Sequence, residues 1–291
     1  MNVQAELVLD ARTTLGEGSF WDSRSKVLYW VDIEGRAVHV YDPATNQDTL
    51  YPMKGRPGTL VPRTQGGIVV AVEQDVFVLD TVDGQPKELC RFEAEPEGNR
   101  LNDGKCDPAG RFWVGTMSAS RDPNGTLYCV EPDGSYRPML PGVIVSNGIV
   151  WTADEKTMYY IDTAATCVRA FDYRKDDGTI SAERTIVDVP DEMGRPDGMA
   201  IDSEGMIWVA MFRGSAVRRF NPTNGSLLDT VELPATNVTS CAFGGDDLRD
   251  LYITTARAGL TDDAVRQQPL AGGLFRARVD TPGVLAHLFA G

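Results

Sequence analysis

The chain has 291 residues, 42% hydrophobic and 24% charged, enough for a sizeable core. Its formal net charge is −14, from 28 basic against 42 acidic residues. No stripe of Lys or Arg is present, which argues against a nucleic-acid partner. The first ten residues lack a signal-peptide core and no apolar run reaches membrane-span length, so neither secretion nor a membrane is expected. Five scattered cysteines without a CxxC pair fit reduced, buried thiols, and the chain reads as cytoplasmic.

Taken in order, the chain offers short β-rich runs and no long helical period. A β-capable segment at 5–9 comes first. Six similar units follow, each a Gly-, Pro-, Asp- or Asn-bearing turn, a strand, and a second strand a few residues on. The first strands are Val27–Asp32, Ile68–Val72, 111–115, Thr157–Asp162, 206–210 and 250–254. The second are 37–41, 76–79, Gly125–Val130, 167–173, Ala216–Phe220 and 272–279. Another β-capable segment lies at 285–289. Aligned on one strand position, the units fall at Tyr29, Val69, Trp113, Tyr159, Trp208 and Tyr252, a period of 40 to 49 residues. That period, built from short strands, predicts an all-β fold: a six-bladed β-propeller with four-stranded blades around a central channel. Six units fill the chain, so residues 1–291 read as a single domain. One of the two terminal segments, by preference the N-terminal one, is expected to complete the last blade and seal the ring.

Eleven or twelve residues before each aligned position another strand begins, at Glu17, Gly58, Asn102, Asn147, Asp197 and Ser240. In a propeller the first strand of each blade lines the channel, so these residues form a ring around the axis. Four of the six, Glu17, Asn102, Asn147 and Asp197, carry carboxylate or amide oxygens able to act as ligands. Two carboxylates brought together would repel without a cation. Two carboxylates plus an amide oxygen form a hard ligand set for a divalent ion. Glycines beside the ring positions let the backbones approach closely. Only two histidines exist, His39 and His287, and neither is a ring residue, so a His-rich zinc site or a Ser–His–Asp triad is not expected. No GxSxG, P-loop or GxGxxG occurs. Hydrolysis, if present, would be metal-assisted with a carboxylate base. Arg100 reads either as a substrate ligand or as the partner of Glu95 or Glu97.

The motifs Leu15-Gly16-Glu17-Gly18, Asn99-Arg100-Leu101-Asn102-Asp103-Gly104-Lys105, Trp113-Val114-Gly115-Thr116-Met117, Ser146-Asn147-Gly148 and Arg195-Pro196-Asp197-Gly198 stand in this order. With Thr239 to Gly245 and Leu251 to Ala256, this set resembles the regucalcin (senescence marker protein)/gluconolactonase family from about Leu15 onward. The resemblance implies hydrolysis of sugar lactones to aldonic acids with one divalent metal ion, Ca²⁺ or Zn²⁺ first, with Mg²⁺, Mn²⁺ or Fe²⁺ as alternatives. Carried over, Glu17, Asn147 and Asp197 would hold the ion, Asp197 would also be the general base, and Arg100 and Asn102 would bind substrate. Asn102 would reach the ion directly or through water. The ion would polarise the lactone carbonyl while Asp197 takes a proton from water.

Animal relatives carry a substrate-contacting Glu shortly after the Gly-Thr-Met motif. Here Ser118-Ala119-Ser120 follow Met117, with no carboxylate. The loops at 118–124 and 258–268 would discriminate between sugars. Two other classes stand beside the lactonase: a metal-dependent esterase or phosphotriesterase, and a non-catalytic calcium-binding propeller. The sequence leaves the sugar, the physiological metal and the oligomeric state open.

Overall fold

The computed structural model describes residues 2–291. β-Branched and aromatic residues fill its strands, and Gly, Asp and Asn occupy the turns between them. The innermost strands of the six blades are Gly16–Asp22, Pro57–Pro62, Arg100–Cys106, Ser146–Trp151, Arg195–Ile201 and Val238–Gly244. Each pairs antiparallel with the next strand in sequence, and the first five blades continue outward in order to a fourth strand. The second strands observed at Phe112–Met117 and Ile207–Phe212 start one residue later than the turns at Gly110 and Gly205 suggested, a shift within normal boundary variation.

The register bears out the repeat alignment. Tyr29 faces Phe20, Val69 faces Val61, Trp113 faces Lys105, Tyr159 faces Val150 and Trp208 faces Ala200. Each partner lies three residues after its ring position. In the sixth blade Tyr252 faces Ala242, two residues after Ser240.

The last blade is completed from the other end of the chain. Glu6–Leu9 pairs antiparallel with Leu274–Arg278 as its outermost strand. The preceding segment, Asn2–Gln4, adds a parallel strand to Leu227–Glu232 of the fifth blade. The other candidate for closure, 285–289, forms no strand. The tail instead crosses the face opposite the ring residues, making isolated bridges at Gly283 to Asp202, His287 to Cys106 and Phe289 to Arg63. Phe289 is fully buried there among Val61, Phe92 and Phe112.

The core lies between blades. Val69, Phe92, Leu101, Phe112 and Tyr128 form one cluster across blades two and three. Trp113, Trp151 and Tyr173 meet edge to face across blades three and four. Each such side chain contributes about 1.5–3 kcal/mol relative to exposure. Two buried aspartates tie the turns after innermost strands to this core. Asp107 Oδ2 accepts from Arg111 Nε at 2.7 Å, Trp113 Nε1 at 2.9 Å and the Tyr173 hydroxyl at 2.8 Å. Asp202 Oδ2 accepts from Trp208 Nε1 at 2.9 Å and Arg219 Nε at 2.7 Å. All five cysteines are buried and unbridged. Among the described residues, no helix is long and apolar enough to cross a membrane.

Candidate metal centre

Glu17, Asn102, Asn147, Asp197 and Ser240 all lie on innermost strands and are buried. The pairing of each innermost strand with its neighbour slips at the ring position: between Glu17 and Phe20, Leu101 and Gly104, Ser146 and Ile149, and Pro196 and Met199. A β-bulge there re-aims a side chain without ending the strand. The glycine that follows permits close approach of the next blade. A Cβ on Gly148 would lie 2.7 Å from Asp197 O, and one on Gly198 would lie 2.8 Å from Ser240 Cα.

The carboxyl groups of Glu17 and Asp197 come close enough to share a hydrogen bond. Burial, then the Asp103 charge, push Glu17 up to about 8, while the Gly18 N–H, 3.0 Å from Oε2, partly opposes this. Burial, Glu17 and Asp103 together push Asp197 well above the carboxylate range. Asp103 is itself raised by burial and partly held down by the Lys105 charge. Lys105 Nζ donates to the Met199 carbonyl.

Asn147 Nδ2 donates to the Thr163 hydroxyl at 2.8 Å, and that hydroxyl donates to Pro196 O at 2.8 Å. This leaves Asn147 Oδ1 without a donor, and Asp197 Oδ1 is likewise buried and unpartnered. Orphaned buried acceptors are costly unless something positive sits between them. The set therefore fits a divalent cation: two carboxylates and one amide oxygen, all hard donors. Among the described residues no cluster of three or more His, Cys, Asp or Glu is arranged to hold a metal ion.

Arg100 is buried and touches neither Glu95 nor Glu97. The Glu95 carboxylate accepts from Asn99 and Tyr128 instead. Arg100 Nη1 donates to Asn102 Oδ1 at 2.5 Å and Leu101 O at 3.1 Å, and Nη2 lies 3.3 Å from Met117 Sδ. Burial lowers it to about 10. Asn102 Nδ2 donates to Ser146 O at 2.8 Å. The Asn102 amide is thus tied on one side to Arg100 and on the other to the fourth blade.

Above this cradle opens a pocket of about 410 Å³, lined by Glu17, Arg100, Asn102, Asn147 and Asp197. The loops singled out in the sequence reach it through Arg121 and through Ala258 and Gly259. After Met117, where Ser118 to Ser120 carry no carboxylate, the same loop supplies Arg121. Sequence reasoning missed Thr163, Arg195, Phe212 and Arg213, which also line the pocket. Three of these follow one rule that could have found them: the end of each second strand stands beside the start of the innermost one. His39 pairs with Asp48 at 2.6 Å and His287 sits in the C-terminal tail; neither lines the pocket.

Residues 15–257 match the family described as SMP-30/Gluconolactonase/LRE-like region. Regucalcin of Danio rerio is 39% identical over 278 residues, covering 94% of each chain. A Bacillus subtilis protein named for sugar lactone lactonase activity, YvrE, is 36% identical over 99% of each chain. The crystal structure of a calcium-binding protein, regucalcin, from Agrobacterium tumefaciens superimposes with a TM-score of 0.94 at 27% identity, covering 100% of this chain and 99% of that one. The six blades and these full-length matches agree, and the chain belongs to the SMP-30/gluconolactonase family, with regucalcin among its relatives.

Proposed function

We propose that this protein hydrolyses sugar lactones to aldonic acids in a reaction that depends on one divalent cation held by Glu17, Asn147 and Asp197. The observation that carries the reading is the pair of orphaned acceptors, Asn147 Oδ1 and Asp197 Oδ1, beside the buried Glu17 carboxyl at the floor of a pocket sized for a monosaccharide. Ca²⁺ and Zn²⁺ both suit these donors; Mg²⁺, Mn²⁺ and Fe²⁺ are alternatives. The calcium-binding description of the Agrobacterium relative agrees with the first.

When bound, the ion supplies Lewis-acid polarisation of the ester carbonyl. The chain's own groups do the rest. Asp197, held ionised beside the ion, takes a proton from water as the water oxygen attacks the lactone carbon. Arg100 donates to the oxygen that gains charge, and its bond to Asn102 fixes its direction. As the ring C–O bond breaks, Asp197 returns the proton to the leaving alkoxide, which becomes the product hydroxyl. Asn102 and Arg100 orient the sugar.

A pH-stat assay over aldonolactones, aryl esters and phosphotriesters, with and without chelator, tests this. Lactone turnover lost on chelation and restored by metal is expected. Turnover confined to aryl esters or phosphotriesters, or metal binding without turnover, would replace this reading with one of its alternatives.

A further inference from the structure

We propose that the lactone taken by this site carries an anionic group at the end remote from the scissile ester, held at the pocket rim by Arg121 and Arg213. This deepens the lactonase reading and rests on it.

The observation is a local reversal of charge. The chain carries a net −14, yet four arginines line this one pocket: Arg100, Arg121, Arg195 and Arg213. Among the described residues Glu17 and Asp197 are the only carboxylates lining it, and a divalent ion would balance both. Elsewhere most arginines are matched to carboxylates, as Arg24 is to Asp22, Arg56 to Glu73 and Arg137 to Glu131; of the exceptions outside the pocket, Arg218 and Arg257 donate to backbone carbonyls and Arg36 is exposed. Acidic groups are abundant enough to pair every guanidinium. Arg100, Arg121 and Arg213 nevertheless have no carboxylate within ion-pair distance among the described residues. Arg195 is held at 2.8 Å by Asp191, whose side chain is 81% exposed. Such a solvated pair is weak and readily exchanged.

The four differ in depth. Arg100 is buried beside Asn102, at the reacting end. Arg121 and Arg213 are exposed and follow the second strands of blades three and five, so they flank blade four from either side. The Arg213 guanidinium sits 5.9 Å from the Phe212 ring centroid. Stacking of that kind holds a guanidinium plane while leaving its N–H edge for a planar or tetrahedral oxyanion. The negative field of the rest of the chain is screened beyond about 8 Å in physiological salt, so the rim charges dominate at contact. A neutral sugar would use none of this. A carboxylate, phosphate or sulfonate on the far carbon would use all of it.

The test compares ligands that differ only at that carbon. Binding of D-glucarate, 6-phosphogluconate and D-gluconate to the metal-loaded protein is measured by calorimetry at low and high NaCl. Turnover of the corresponding lactones is measured alongside. A ligand charged at both ends is expected to bind at least about tenfold more tightly than gluconate. Added salt should shrink that preference, R121Q/R213Q should remove it, and R121K/R213K should restore it. The lactones should show the same preference in KM rather than kcat, and the better of glucarate and 6-phosphogluconate distinguishes carboxylate from phosphate. Equal binding of gluconate, or a preference untouched in R121Q/R213Q, would overturn the proposal. Preferential binding of the charged ligands with no turnover of any lactone would instead overturn the lactonase reading and leave the anion site standing.

Discussion

Asn147 donates its side-chain amide to the Thr163 hydroxyl at 2.8 Å, and that one bond settles which end of the amide is left for a cation. Thr163 directly follows the second strand of blade four and also donates to Pro196 O, so it couples blades four and five at the centre. Replacing Thr163 by Val removes both bonds at nearly constant volume. Divalent-ion affinity is expected to fall about tenfold, the usual scale for a group that orients a ligand. Calorimetric titration of Ca²⁺ into the variant, with circular dichroism confirming the fold, checks it.

The raised carboxyls predict how the metal-free protein responds to pH. Glu17 titrates near 8 when folded, and Asp197 is also raised, both chiefly by burial. In the unfolded chain both titrate in the ordinary carboxylate range. The fold therefore binds protons more tightly than the unfolded chain, and stability falls as pH rises from that range toward 8. A bound cation reverses the preference, because it favours the ionised carboxylates. Thermal melts in chelator should drop in Tm between pH 5 and 8, while melts in excess Ca²⁺ should not. Ion binding at pH 7 should release protons into the buffer.

Repeat arithmetic put Glu17, Asn102, Asn147 and Asp197 at equivalent strand starts because blade geometry ties sequence spacing to radial position. The same logic reaches no further than the strand. The bulge at Asn102–Asp103 makes the Asp103 charge felt by both Glu17 and Asp197, and no spacing rule signals an extra residue. Thr163, Arg195 and Arg213 belong to the site through contacts between strands and blades. The segment at 285–289 reads as β-capable, yet Phe289 is drawn into the gap among Val61, Phe92 and Phe112, so burial decided its path over local propensity.

Asp107 anchors two blades through one oxygen. Asp107→Ala leaves Arg111, whose side chain is 5% exposed, without its carboxylate. Breaking a buried pair in this way costs about 3–5 kcal/mol. Asp177→Ala, which removes the exposed partner of Arg174, should stay within about 0.5 kcal/mol of the parent. Urea denaturation of the two variants measures the contrast.

Closure by Glu6–Leu9 makes the N-terminus part of the sixth blade. Deleting residues 2–9 exposes the edge of Leu274–Arg278 and removes the parallel strand from Leu227–Glu232. Uncovered edges pair with other chains. Light scattering should show oligomers or aggregates in the deletion variant under conditions where the parent scatters as a single species.

On the proposed reading, one divalent cation held by Glu17, Asn147 and Asp197 drives lactone hydrolysis. Stoichiometric titration of the chelator-stripped protein with Ca²⁺ or Zn²⁺, following lactone hydrolysis at each addition, tests it most directly. The rate should rise linearly, break at one ion per chain, and fall at least about 10²-fold at every point in Asp197→Ala. Hydrolysis that persists undiminished in the stripped protein, or full activity in Asp197→Ala, would contradict it.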